Sequence, residues 1–172
     1  MEKFMKKEEI LKIIHLARKD SVVRKSLVPL LCETLDLREN PFHPLVFING
    51  CPCIGKNVYI GIFSEINARK IRVKIGDNCD IASFVSINAA DSYKRCIGLS
   101  REIERREIVL GNSVFVGSHS FIGGGNRIGH HSVVGAGTIL INGGDIPPYS
   151  LIIGNPAVVK KGYFKKSLRN KI

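Results

Sequence analysis

The chain has 172 residues, 44% of them hydrophobic, which suits a single domain with a real core. No apolar run reaches the length of a membrane span, and the opening MEKFMKKEE lacks the apolar stretch of a signal peptide, so a cytoplasmic protein is expected. The net charge of +11 is lopsided, with eight of the 26 Lys and Arg in residues 1–25 and six in 160–171. No nucleic-acid motif or aromatic-interleaved basic groove accompanies that charge, so nucleic acid is not an expected partner.

Residues 5–19 read as an amphipathic helix, with Ile10, Leu11, Ile14 and Ala17 on one face and lysines opposite. Ser21 is placed to cap a second helix whose apolar face is Val23, Leu27, Leu30, Leu31 and Leu35, with Pro29 expected to kink or interrupt it. Residues 38–45, with two prolines, read as a linker, and His43 there reads as structural. A domain boundary is therefore set between a helical cap at 1–46 and a β domain at 47–159, followed by a basic tail at 160–172.

From Phe47 the pattern changes. Leu110, Val116, Ile122, Ile128, Val134 and Leu140 recur every six residues, a period that fits neither an α-helix nor a plain strand. The same register holds for Ile54, Ile60 and Ile66, and again for Ile75, Ile81 and Ile87. Of these twelve positions eight are followed by Gly, and eight carry Val, Ser, Thr or Cys four residues on. This is the hexapeptide repeat of a parallel β-helix, in which three sextets make a coil and coils stack ~4.8 Å apart. The aliphatic residue fills the prism, the small residue sits beside it, and glycine relieves crowding at the turn. The N-terminal helices then have a structural task, covering an open end whose unpaired edge would invite aggregation.

Two breaks interrupt the register. Ile66 to Ile75 spans nine residues, and Ile87 to Leu110 spans 23, so a charged segment near 91–107 leaves the coil and returns. Long loops in compact domains are commonly functional. The coils are expected to run to Ile146, while residues 141–149 (INGGDIPPY) break the pattern with two glycines and two prolines, residues 152–157 form a last strand and turn, and the tail is expected to pack back as a strand or short helix.

The run IGDNCDIASFVSI, the block LGNSVFVGSHSFIGGGNRIGHHSVVGAGTIL and the ending DIPPYSLIIGNPAVVKK resemble the hexapeptide-repeat acyltransferases, nearest the galactoside, maltose and xenobiotic acetyltransferases. The likeness covers roughly residues 47–161. It implies a left-handed parallel β-helix with an excursion loop, and a homotrimer whose active sites lie between subunits under that loop. It also implies acetyl-CoA as acyl donor, a sugar or nucleotide sugar as acceptor, and no metal. Carried over residue by residue, amides near Ser118 would stabilise an oxyanion, and Phe115 stands where such enzymes often carry Trp. Gly135, Ala136 and Gly137 would wall the pantetheine arm, while Asn155, Pro156, Lys160 and Lys161 would meet the adenine and phosphate end. Ile141 and Asn142 replace a usual Thr-Lys pair of coenzyme contacts. Asn67 matches an acceptor-binding Asn, and Tyr93 and Arg95, with Glu102, Glu104 and Glu107, are loop candidates for acceptor contact.

One departure shapes the chemistry. The family's general-base histidine is replaced in position by Asp91, and no His occurs between residues 44 and 118. A hydroxyl needs a base near neutral pKa, whereas an ordinary Asp sits near 3.9. The free-base fraction of a sugar amine attacks unaided. The sequence therefore favours N-acylation of an amino sugar, free or nucleotide-linked, as in surface-polysaccharide biosynthesis, over O-acetylation. Asp91 and His119 are the candidate bases, each with a structural reading beside it. Two other classes stay open: a zinc lyase of the β-helix carbonic anhydrase kind using His130 and His131, and a non-catalytic assembly module. The five cysteines (Cys32, Cys51, Cys53, Cys79, Cys96) show no zinc spacing and read as reduced thiols, with Cys51 and Cys53 an alternative metal or redox pair.

Overall fold

The computed structural model describes residues 7–34, 41–43 and 45–169, without the side chains of Val28, Leu31, Cys32 and Arg169. The first two residues of the helix expected at 5–19, the side chain of Leu31, Leu35, half of the 38–45 linker (38–40 and 44) and the last three tail residues lie outside the described set. The chain divides into two units, Met1–Glu39 and Asn40–Ile172.

In the first unit, α1 (Lys7–Lys19) and α2 (Ser21–Thr34) form a helical pair. The cap of α2 is Asp20 rather than Ser21: its Oδ1 accepts from Val22 N at 2.7 Å and Val23 N at 3.3 Å. Asp20 stands one residue before the helix, where a side-chain acceptor reaches the orphan amides of the first turn. Arg24 donates to Ala17 O and Arg18 O, closing the free carbonyls of α1. Pro29 does not end α2, which runs through it. Ile10, Leu11, Ile14 and Leu16 remain exposed.

The second unit is a parallel β-helix with three sheets as its walls. Wall one holds β1 (Phe47–Gly50), β4 (Glu65–Ala68), β7 (Ser86–Asn88), β12 (Phe121–Gly123) and β15 (Ile139–Leu140). Wall two holds β2 (Cys53–Ile54), β5 (Val73–Ile75), β10 (Ile108–Leu110), β13 (Asn126–Ile128) and β16 (Gly144–Ile146). Wall three holds β3 (Tyr59–Ile60), β6 (Asp80–Ile81), β11 (Phe115–Val116), β14 (Val133–Val134) and β17 (Leu151–Ile153), closed by the antiparallel β18 (Val158–Lys160). The pairing carries the breaks faithfully. Phe47 pairs Glu65, Glu65 pairs Ser86 across the small bulge, and Ser86 pairs Phe121 across the excursion.

The core is the aliphatic column of the repeat. Ile60, Ile66, Ile75, Ile81, Ile87, Leu110, Val116, Ile122, Ile128, Val134 and Leu140 are buried, and Ile54 packs against them half-buried. The break expected at 141–149 is absent in the core, because Ile146 and Ile152 continue the six-residue spacing and are both buried. Gly143, Pro147 and Pro148 lie at the corners, and Gly144 opens β16. The small residues four places on join coils: Ser64 Oγ donates to Ala82 O and accepts from Val85 N, and Ser120 Oγ does the same with Gly135 O and Thr138 N. Asn126 occupies the equivalent interior place and is fully buried, donating to Gly123 O and Leu140 O and accepting from Gly143 N. The tail returns as β18 and a short helix, α4 (Lys165–Arg169).

Glycine serves two different ends here. A Cβ on Gly117 would lie 2.5 Å from Ala136 N of the next coil, so the contact is backbone on backbone. Gly137 faces open space but holds φ +68°. Urea unfolding of Gly117→Ala should therefore show a loss of about 3 kcal/mol, as overpacking against an immovable neighbour. Gly137→Ala should cost only about 1 kcal/mol, the left-handed penalty for a Cβ. Equal losses would mean that coil-to-coil contact does not set the glycine positions.

Candidate active site

The excursion is an ordered hairpin on the edge where wall one turns into wall two. The chain leaves β7 at Asn88, whose Oδ1 accepts from Ala90 N at 3.0 Å. It continues as β8 (Ala90–Asp91), a helical turn α3 (Tyr93–Cys96) and β9 (Glu104–Arg105), with β8 antiparallel to β9. Asp91 Oδ1 accepts from Tyr93 N at 3.1 Å, a turn-forming bond that occupies one carboxylate oxygen. Lys94 Nζ donates to Glu104 Oε1 at 2.5 Å, and Arg106 reaches Glu104 Oε2 at 3.5 Å. The Lys94 hydrogen bond holds the Glu104 carboxyl below its usual range, and the same bond raises Lys94.

Beside this hairpin lies a cavity of about 490 Å³. Asp91 and Tyr93 line it from the loop, Asn88 and Phe121 from wall one, and Ile141 and Asn142 from the following corner. Arg106 donates to Asn142 Oδ1, tying that corner to the returning loop. Ile141 and Asn142, expected at the coenzyme, thus share a cavity with Asp91 and Tyr93. No histidine lines it.

A smaller cavity of about 230 Å³ lies at the same loop base and shares Asn88, Ala90 and Ser92 with the first. Here the structure brings together Asn67 and Arg95, two of the expected acceptor contacts, with Asn49, Arg69 and Arg105. The asparagines form a ladder: Asn49 pairs Asn67 in register, Asn67 pairs Asn88, and Asn67 Nδ2 donates to Asn88 Oδ1 at 3.1 Å. Asn49 and Asn88 were not singled out by the sequence reading, though a signal existed. They follow Ile48 and Ile87, in the place where most sextets carry glycine.

The remaining candidates lie elsewhere on the chain. Ser118 and His119 sit at the corner between walls three and one, the opposite end of wall one from the loop. There His119 stacks on Phe84 (4.8 Å), which stacks on Phe63 (5.2 Å). These three share φ near +60°, and Gly137 takes the next place in the column. Gly117 N and His119 N donate to Val134 O and Ser83 O, and Gly137 N donates to Ser118 O. Ser118 N takes part in none of the backbone bonds of this corner. Gly135 and Ala136 lie one coil on; Phe115 projects half-exposed from wall three between Asp80 and Val133. Asn155 and Pro156 form the turn after β17, Lys160 ends β18 with its Nζ 5.9 Å from the Tyr163 ring, and Lys161 is exposed beside it. Within one chain, then, neither cavity contains both Asp91 and His119.

Glu107, a loop candidate for acceptor contact, instead pairs with Arg72 and Arg127; Glu102 is exposed. His130 and His131 meet edge to face and pack on Tyr149 at a third corner. Among the described residues no group of three or more His, Cys, Asp and Glu is placed to hold a metal ion. Cys51, Cys53 and Cys96 are exposed free thiols, while Cys79 is in the core, where burial raises its pKa.

No family model matches the chain. Over 111 residues it is 34% identical to galactoside O-acetyltransferase of Escherichia coli K12, a match covering 61% of this chain and 54% of that protein. The chain thus spans about half the length of this curated relative. The solved structure of NeuO, described as a polySia specific acetyltransferase, shares 31% identity at a TM-score of 0.56, over 64% of this chain and 47% of that one. AntD, an N-acyltransferase from Bacillus cereus solved with dTDP and 3-hydroxybutyryl-CoA, superposes at a TM-score of 0.61. That match covers 74% of this chain and 72% of that one, but at 18% identity it speaks for the fold alone. The six-residue register, the three-walled solenoid and these similarities fit the hexapeptide-repeat acetyltransferase family.

The Lys94–Glu104 pair gives this loop a titration signature. Glu104 is depressed, so its contribution to loop order is present above the ordinary carboxylate range and is lost as pH falls through its folded value. Lys94 is raised, so its contribution is present below the ordinary lysine range and is lost as pH climbs through its folded value. NMR titration of the Glu104 carboxyl should find its midpoint below that of the free side chain, and Lys94→Met should move it upward. An unmoved midpoint would show that the pair does not form in solution.

Proposed function

We propose that this chain is an acetyl-CoA-dependent acyltransferase that acetylates a sugar, with the amine of an amino sugar, free or nucleotide-linked, as its preferred acceptor. The similarity to galactoside O-acetyltransferase carries the reaction class. The preference for nitrogen rests on the larger loop-base cavity, whose lining holds Asp91 and no imidazole.

In the reaction, the amine lone pair attacks the thioester carbonyl and a C–N bond forms. The carbonyl electrons move onto oxygen, where a backbone amide free of intrachain bonds, such as that of Ser118, would stabilise them. The intermediate collapses, the C–S bond breaks, and coenzyme A leaves as thiol or thiolate. The proton from nitrogen passes to water or to the free oxygen of Asp91. An amine already present as free base needs no base of neutral pKa for attack, which makes the replaced histidine tolerable.

A homotrimer belongs to this reading. Asp91 and His119 stand at opposite ends of wall one in a single chain, and a neighbouring copy would supply the second corner to a cleft roofed by the loop. His119, Ser118 and the Gly135–Gly137 wall would then face the donor, with Asn155, Lys160 and Lys161 toward its phosphates. A second reading, O-acetylation, is favoured by one observation: the 34% identical relative is an O-acetyltransferase. In that case His119 of a neighbouring copy would be the base.

Thiol release from acetyl-CoA, followed against paired amino and hydroxyl sugars, separates the two. Amine transfer predicts turnover confined to amino sugars, with Asp91→Asn costing less than about tenfold because attack does not depend on it. Turnover on hydroxyl acceptors, lost by about 10²–10⁴-fold in His119→Ala, would establish a histidine base and overturn the amine assignment. No thiol release with any acceptor, together with no coenzyme binding by calorimetry, would remove the acyltransferase reading.

A further inference from the structure

Seven cations of the excursion edge fall into two groups, with Arg101 exposed and outside both cavities. Glu104 takes Lys94 and Arg106, and Glu107 takes Arg72 and Arg127, the latter also reaching Asp145. Among the described residues no carboxylate pairs with Arg69, Arg95 or Arg105, and all three line the smaller cavity, whose lining contains no Asp or Glu. Three like charges around one concavity repel one another until a negative charge enters. Arg105 is already set in place, with Nε donating to Arg69 O and Nη1 to Ile103 O, so its Nη2 remains for a ligand. Beside it Asn88 spends its Oδ1 on Asn67 and Ala90 and keeps its Nδ2 as an unused donor. The cavity therefore offers donors almost throughout, in the forked geometry that guanidinium presents to carboxylates and phosphates.

We propose that the acceptor is an anionic sugar whose carboxylate or phosphate group is bound in this cavity by Arg69, Arg95 and Arg105 beside the asparagine ladder. The proposal rests on the acyltransferase reading for the word acceptor, but the anion site stands or falls by itself. Asn88, Ala90 and Ser92 line both cavities. An acceptor anchored by its anion in the smaller one therefore extends across Asn88 into the larger one, where Asp91 and Tyr93 stand. This makes Arg69, Arg95 and Arg105 specificity-determining residues.

The test is titration calorimetry of the full chain with uridine diphosphate, with glucuronate and with neutral glucose. Arg69→Ala/Arg95→Ala is the informative variant, because both side chains are exposed. Arg105 is left intact for its bonds to the loop backbone. Wild type should bind uridine diphosphate or glucuronate and not glucose, and whichever probe binds identifies phosphate or carboxylate as the recognised group. The double variant should weaken that binding by at least about a hundredfold, because two charge-assisted contacts are lost together. Arg69→Lys/Arg95→Lys should recover part of it. Binding of neither anion above glucose, or equal binding by the alanine variant, would overturn the proposal. The two readings fail separately. Anion binding with no thiol release from acetyl-CoA on any acceptor and no coenzyme binding would remove the acyltransferase reading and leave the site standing. Thiol release with neutral sugars as readily as with anionic ones would do the reverse.

Discussion

Everything in the β unit depends on one constraint: adjacent coils meet backbone to backbone at the corners. At Gly61, Gly76, Gly111, Gly117 and Gly129 a Cβ would fall 2.4–2.6 Å from an atom of the next coil. That contact locks the register, because a residue inserted into any coil would push a side chain into the space these glycines keep clear. Hydroxyls then fasten the interior, with Ser64 and Ser120 each bridging a carbonyl and an amide of the next coil. Extra chain is admissible only where it can leave the prism without disturbing the stack. Both insertions do so at one edge: the small bulge after β4 and the long hairpin after β7. Concentrating the irregularity on one edge gives a repetitive solid its single specialised surface.

The stacking constraint also explains what could be read from the sequence. A six-residue aliphatic column with glycine behind it has no other use, so the walls, the bulge and the excursion were legible from Ile54 onward. Gly143, Gly144, Pro147 and Pro148 make the segment 141–149 look irregular, yet the column continues through Ile146 to Ile152, with Gly144 accepted at the start of β16 and the other three at the corners. Asn126 hid for a related reason. A buried amide reads as an exception by hydropathy, yet it does at the loop edge what serine does elsewhere, joining one coil to the next. Asp20 rather than Ser21 caps α2 because a cap precedes its helix, and the boundary was set one residue late.

The site was less legible, since its pairing comes from the hairpin and not from the repeat. Lys94 and Glu104 are ten residues apart and meet because β8 and β9 run antiparallel. The acidic residues of the loop drew interest as acceptor contacts. Two of them, Glu104 and Glu107, bind neighbouring cations, the ordinary fate of charges in an ordered loop, and Glu104 also lines the larger cavity. Neutralising those cations is itself informative. Once four are paired, three of the unpaired cations, Arg69, Arg95 and Arg105, stand around one small cavity, while Arg101 of the loop lines neither cavity. Sequence position alone cannot distinguish Arg95 from Arg106; only the pairing does.

Asp91 illustrates how geometry limits a chemical role. One of its oxygens is engaged by Tyr93 N, and it belongs to a strand held against β9, so its position is fixed by the hairpin's own structure. A residue so placed can receive a proton from a nitrogen that has already bonded to carbon, because after attack the ammonium is acidic and almost any neighbouring oxygen suffices. It is poorly suited to the earlier task of drawing a proton from a hydroxyl, where the base must be nearly as strong as the step demands. His119 is chemically suited to that task but is stacked on Phe84 at the far corner of wall one. On the proposed reading, nitrogen transfer would need only the loop edge of one chain and a donor surface from another copy, whereas oxygen transfer would need the second copy to deliver the base as well. The choice of acceptor and the assembly of the site are thus one question.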